Sequence, residues 1–110
     1  MQSRHLIGKK CVPCEPGTPP LAKEKISEFQ KELKGRWELI EGKKIKHKFS
    51  CQSFKEAIIF VNKVAALAEQ ENHHPNIFIA YKNVTITLST HAIGGLSEND
   101  FILAGKIDRL

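Results

Sequence analysis

Residues 53–75 read SFKEAIIFVNKVAALAEQENHHP, and this stretch decides the fold. Ser53 can cap a helix start, and Glu56, three residues on, completes a capping box. Phe54, Ala57, Ile58, Val61, Val64, Ala65 and Ala68 then recur at steps of three and four, which makes one apolar stripe on a helix. A stripe of that width covers a sheet. The helix runs out near Asn72, because Pro75 pushes the residue before it out of helical geometry.

The flanking segments supply the sheet. Downstream, Ile77, Ile79 and Tyr81 alternate with Phe78 and Ala80, and Lys82-Asn83 reads as a two-residue turn. Val84, Ile86 and Leu88 then alternate with Thr85, Thr87 and Ser89, giving an apolar side and a hydroxyl side. Upstream, Trp37 and Leu39 share a face, and Ile45, His47 and Phe49 stand opposite Lys44, Lys46 and Lys48. Glu41-Gly42 between them predicts a hairpin whose lysines form the wet side of the sheet. Leu21 to Leu33 fits a short helix with Ile26, Phe29 and Leu33 inward and Gly35 as its stop. Ser97 begins a last helix carrying Asp100, Leu103, Ala104 and Ile107 on one face. The order is α-β-β-α-β-β-α. It predicts an α+β fold, a four-stranded antiparallel sheet with three helices packed on one face.

Residues 1–20 read as an N-terminal arm before a domain at 21–110, since Pro13, Pro16, Pro19 and Pro20 bar helix and interior strand. A chain of 110 residues fits one domain. Its 41% hydrophobic and 26% charged residues are those of an ordinary globular protein. No window approaches the ~20 apolar residues of a membrane span. The basic first ten residues lack the apolar run of a secretory signal, so a cytoplasmic address is expected. The net charge of +5 does not argue for nucleic acid, because the lysines spread along amphipathic elements and one Trp and one Tyr make no stacking row. Three cysteines, an odd number, argue against a disulfide framework. Cys11 and Cys14 have the spacing of half a zinc site or a redox pair, or are simply reduced surface thiols.

Three of the five histidines sit where chemistry is plausible. His73 and His74 close the long helix, where its dipole favours a protonated imidazole by roughly 0.3–1 kcal/mol. His91 follows the fourth strand in phase with Thr85, Thr87 and Ser89, so persisting strand geometry would bring it out on the polar face. Gly94 and Gly95 would let backbone approach a ligand there. Asp100, in the first turn of the last helix but facing inward, reads either as a dipole complement or as an acceptor that orients a histidine. A C-cap and a surface histidine are the competing structural readings.

A more specific resemblance emerges from the spacing. Glu69, His73-His74-Pro75, Tyr81, Thr90-His91, Gly94-Gly95-Leu96 and Asp100-x-x-Leu103-Ala104 are similar to the signature of the pterin-4a-carbinolamine dehydratase family. Phe54-x-x-Ala57 also fits, and Cys11-x-x-Cys14-Glu15 with Pro19-Pro20-Leu21 resembles one branch of it; the match runs from about Lys10 to Ile107. Ile77 departs from the animal members, which carry a pocket-lining aromatic there.

The resemblance implies a hydro-lyase that removes water from 4a-hydroxytetrahydrobiopterin to give quinonoid dihydropterin. It implies His73, His74 and His91 as the catalytic set, with His73 and His91 as leading acid and base. Asp100 and Glu69 would orient them, His74, Pro75 and Thr90 would bind substrate, and no cofactor or metal is implied. A homotetramer or homodimer, a small-molecule pterin, and neither nucleic acid nor membrane are the expected partners. Two other readings stand beside it. Three histidines and a carboxylate could hold iron or zinc, although adjacent histidines usually point apart. The chain could instead be a non-catalytic dimerisation cofactor of a transcription factor, as animal members of the family also are.

Overall fold

The computed structural model describes residues 8–12, 15–33 and 37–110. Helix α1 spans Lys23–Glu32, strands β1 and β2 Glu38–Ile40 and Lys44–Ser50, and helix α2 Phe54–Glu71. Strands β3 and β4 follow at Asn76–Ala80 and Asn83–Leu88, then a 3₁₀ turn at His91–Ile93 and helix α3 at Glu98–Ile107. The strands form one antiparallel sheet in the order β1-β2-β4-β3, which completes the α+β fold and element order read above.

Alternation decides which face the helices cover. Ile45, Val84, Ile86 and Leu88 are wholly buried on one side and join Ile26, Phe29, Val64, Leu96, Phe101, Leu103 and Ile107 in a single core. On the other side, Lys48 pairs with Thr85 and Lys46 with Thr87, a polar surface of the kind an uncovered antiparallel sheet presents. Trp37 is buried against this core, and its indole N–H donates to both Asp108 carboxylate oxygens at 3.1 Å, so its polar tip is satisfied where the ring is buried.

Two local expectations are corrected. The buried side of α2 is Ala57, Val64, Ala68 and Glu71, while Phe54 and Ala65 are exposed. The helix is apolar around much of its girth, so sequence offered more than one stripe. Phe49, whose ring centroid lies 4.9 Å from that of Phe60, selects the side that packs. The turn between β3 and β4 is Tyr81-Lys82, because Tyr81 takes a φ of 56° and Asn83 already pairs with Ala80. Glu41 (φ 53°) and Gly42 (φ 70°) do make the β1–β2 turn, closed by the Lys43 N–H on the Ile40 carbonyl at 2.9 Å. Gly35, read as the stop of the first helix, lies outside the described residues.

Candidate active site

Helix α2 ends by winding into a left-handed residue. Asn72 has φ 53° and ψ 41°, its N–H reaches the Glu69 carbonyl at 3.3 Å, and the His73 N–H reaches that of Ala68 at 3.1 Å. These are the two bonds of a Schellman motif, which Asn tolerates better than other side-chain-bearing residues. The motif reverses the chain before Pro75 and sets His73 and His74 in different surroundings. His73 is 12% exposed and its Nε2 lies 2.7 Å from Asp100 Oδ1. His74 is largely exposed, with its Nε2 2.5 Å from Glu69 Oε2. An exposed pair of that kind contributes about 0–1 kcal/mol, so Glu69 steers His74 more than it stabilises the fold.

Asp100 is fully buried and fully used. Oδ1 faces His73, while Oδ2 accepts from the Thr90 hydroxyl at 2.8 Å and the Ser97 N–H at 3.0 Å. The Ser97 contact belongs to a capping box at the start of α3, and Thr90 Oγ1 also lies 2.8 Å from Ser97 Oγ. A helix cap thus doubles as the clamp on a histidine. An ionised carboxylate only accepts, so in the neutral imidazole Nε2 carries the proton and Nδ1 keeps the lone pair.

His91 does not continue β4. Thr90 forms an isolated bridge with Gly95, its N–H bonding the Gly95 carbonyl at 2.8 Å, and the segment between them turns tightly at His91–Ile93. The expected exit from the polar face of a strand is corrected accordingly: His91 stands exposed on a turn whose closing residue is Gly94 at φ 66°. Gly95 packs against the end of the arm. A Cβ there would meet Pro20 Cβ at 2.8 Å, so the absent side chain makes room for the end of the arm. The Leu21 N–H on the Leu96 carbonyl at 2.9 Å holds that end in place.

A cavity of about 290 Å³ is lined by His73, His74, Thr90 and His91 together with Asn72, Ser89, Ala92, Asn99 and Val12. Hollows of about 410 and 480 Å³ occur elsewhere, so size does not single this one out. Chemistry does: three imidazoles, a hydroxyl pair and an amide converge here. Asp100 and Glu69 stand behind the lining histidines, whereas Pro75 is not part of the lining. Ile77, half-buried opposite Ile86, is also absent from it. Five lining residues were not among the candidates read from the sequence: Val12, Asn72, Ser89, Ala92 and Asn99. Nothing local marks Val12. Asn99 could have been suspected as a polar residue at a helix start beside Asp100. Among the described residues, no group of three or more His, Cys, Asp and Glu side chains is arranged to hold a metal. No helix among them is long and apolar enough to cross a membrane.

Comparison with known proteins bears on the same residues. The sequence profile of the family described as pterin 4 alpha carbinolamine dehydratase matches residues 19–110. A relative from Alkaliphilus metalliredigens, provisionally named a pterin-4-alpha-carbinolamine dehydratase, is 42% identical over 96% of this chain and 95% of its own. A similarly named protein of Rickettsia bellii is 47% identical over 96% and 93%. Among solved structures, a transcriptional coactivator/pterin dehydratase from Brucella melitensis superposes with a TM-score of 0.76 at 33% identity, over 82% of this chain and 96% of that one. A pterin dehydratase-like protein identified as a RuBisCO assembly factor in the alpha-carboxysome does so at 0.56 and 25%, over 68% and 86%. With the whole domain matched and the histidine spacing in place, this chain belongs to the pterin 4 alpha carbinolamine dehydratase family.

Proposed function

We propose that this protein dehydrates a 4a-hydroxytetrahydropterin to the quinonoid dihydropterin, with His73 and His91 exchanging the protons and His74 holding the substrate. The observation that carries the reading is His73 clamped by buried Asp100 on the wall of a cavity shared with His74 and His91. In the reaction the C4a–O bond breaks, the N5 lone pair closes the C4a=N5 bond, and the N5 proton leaves. One proton goes to the departing hydroxyl and one comes from N5, so the histidine pair ends with the protons it began with. Imidazole suits both transfers because its pKa lies near neutrality, and each is typically worth ~10²–10⁴-fold. Asp100 holds one tautomer of His73 and stabilises the imidazolium that forms when His73 takes a proton.

The test is the rate of quinonoid dihydropterin formation from a 4a-hydroxytetrahydropterin, followed by absorbance. His73→Ala and His91→Ala each lower that rate at least ten-fold with a native circular dichroism spectrum. Full activity in both refutes the acid–base assignment. A dialysed, chelator-treated wild type that stays active goes against the metal reading. A second reading, a non-catalytic adaptor, is favoured by the two structural neighbours, one described as a transcriptional coactivator/pterin dehydratase and the other as a RuBisCO assembly factor. An inactive wild type that is correctly folded would turn the choice toward it.

A further inference from the structure

The site residues named from the sequence all lie between Glu69 and Asp100, whereas the cavity lining also includes Val12 of the arm. Cys11 and Val12 lie across the ends of the two helices that present His73 and Asp100. The Cys11 N–H donates to Glu71 Oε1 at 2.9 Å, two residues before His73. The Val12 N–H donates to Asn99 Oδ1 at 3.0 Å, while Asn99 Nδ2 donates back to the Val12 carbonyl at 2.5 Å. Asn99, 6% exposed, therefore pairs with the Val12 main chain as a neighbouring strand would. Lys9 adds an ion pair with Glu98, and the Cys11 thiol reaches the Asn99 carbonyl at 3.6 Å. Burial and the Glu71 carboxylate push that thiol up to about 12, so Cys11 packs as a neutral group. These attachments leave the Val12 side chain 64% exposed and lining the histidine cavity.

Val12 and Ala92 carry the only wholly aliphatic side chains among the residues lining the cavity, and the Asn99 amide fixes the Val12 backbone there. Of the residues lining the cavity, the others are mainly imidazole, hydroxyl and amide groups; a flat heteroaromatic ring also needs an apolar surface against which to lie. We propose that Val12 is a substrate-binding wall of the site, that it supplies the apolar contact to the pterin ring, and that Asn99 is the positioning residue that holds it there. The inference rests on the pterin reading above and extends it to a residue that precedes the span of the family profile, residues 19–110. Val12 and Asn99 take no proton, so their effect falls on binding rather than on the chemical step.

The experiment pairs equilibrium binding with kinetics. Pterin itself is titrated into wild type, Val12→Asp, Val12→Ile and Asn99→Leu, with its own fluorescence as the signal, and each protein is assayed with a 4a-hydroxytetrahydropterin. One methylene in an apolar pocket is worth about ten-fold or more, so a half-open wall should weaken binding by about five-fold when lost. Val12→Asp and Asn99→Leu should each raise Kd and KM by about that factor with kcat within two-fold, and Val12→Ile, which keeps an apolar contact, should shift Kd and KM less than Val12→Asp does. Val12 is surface-exposed, so Val12→Asp remains a fair test if Asn99→Leu folds poorly. Wild-type Kd and KM in Val12→Asp overturn the wall while leaving the dehydratase reading intact. A kcat loss without a KM change also overturns it, because the arm would then act on the chemistry. A wild type that neither binds pterin nor turns over the carbinolamine removes the parent reading and the wall with it.

Discussion

Replacing Asp100 by Asn changes one atom and tests the clamp on His73 directly. The carboxylate receives the Thr90 hydroxyl and the Ser97 N–H on Oδ2 and faces His73 with Oδ1. In the variant the amide oxygen must take the Oδ2 position, because the Ser97 N–H can only donate. The amide nitrogen then meets His73 Nε2 and donates to it. That forces the proton of the neutral imidazole onto Nδ1, the atom that held the lone pair. All three hydrogen bonds change from charge-assisted to neutral, and because a buried charge is removed as well the net cost is about 1–2 kcal/mol of stability. For a domain of this size that lowers Tm by roughly 5–10 °C. The catalytic cost is larger, since general-base assistance is worth ~10²–10⁴-fold and the wrong tautomer removes it. Stopped-flow dehydration at neutral pH should therefore show kcat reduced at least 100-fold with KM within about three-fold. Asp100→Ala discriminates less well, because it leaves the Ser97 N–H buried without an acceptor, which adds about 1–3 kcal/mol, and leaves the Thr90 hydroxyl only Ser97 Oγ. Wild-type kcat in a natively folded Asp100→Asn variant would refute the tautomer argument.

Further expectations concern the frame around the site. Lys106 donates to Glu71 Oε2 at 2.6 Å, and the Glu71 side chain is only 2% exposed. Lys106→Met strands that carboxylate and should cost about 3–5 kcal/mol in urea unfolding, most of it recovered in Glu71→Leu/Lys106→Met. Burial raises the Glu71 pKa, but the Lys106 hydrogen bond, the Cys11 N–H and the lysine charges outweigh it and hold the carboxyl below its ordinary value. Its folded value is depressed, so its contribution is present above the unfolded value of about 4.3 and is lost as pH falls through the folded value. Thermal melts between pH 6 and 3 should thus fall more steeply for wild type than for Glu71→Gln; parallel curves would contradict this. Strand β3 is an edge with Phe78 and Tyr81 exposed beside it, and such edges pair unless covered. A homo-oligomer is expected, and light scattering that reports only a 12.4 kDa monomer at micromolar concentration would exclude it.

What the sequence determined by itself was local. Ser53 accepts the Glu56 N–H at 3.1 Å as its position before the apolar run requires, and alternation along 84–88 named the residues that are buried. Capping and side-chain periodicity act over three or four residues, so they can be read without a fold. The histidine spacing belonged to the family signature and named three residues that line one cavity. Tertiary structure alone decided which face of α2 packs, because Phe49 must first be placed by the β1–β2 hairpin. It alone brought His73 to Asp100, 27 residues away, and Val12 to Asn99, 87 away. No local preference encodes such meetings. They follow from placing β4 between β2 and β3, which sets the ends of α2 and α3 side by side under the arm. The clamp and the proposed wall are both products of that geometry, whereas the imidazoles proposed to do the chemistry were legible from the start.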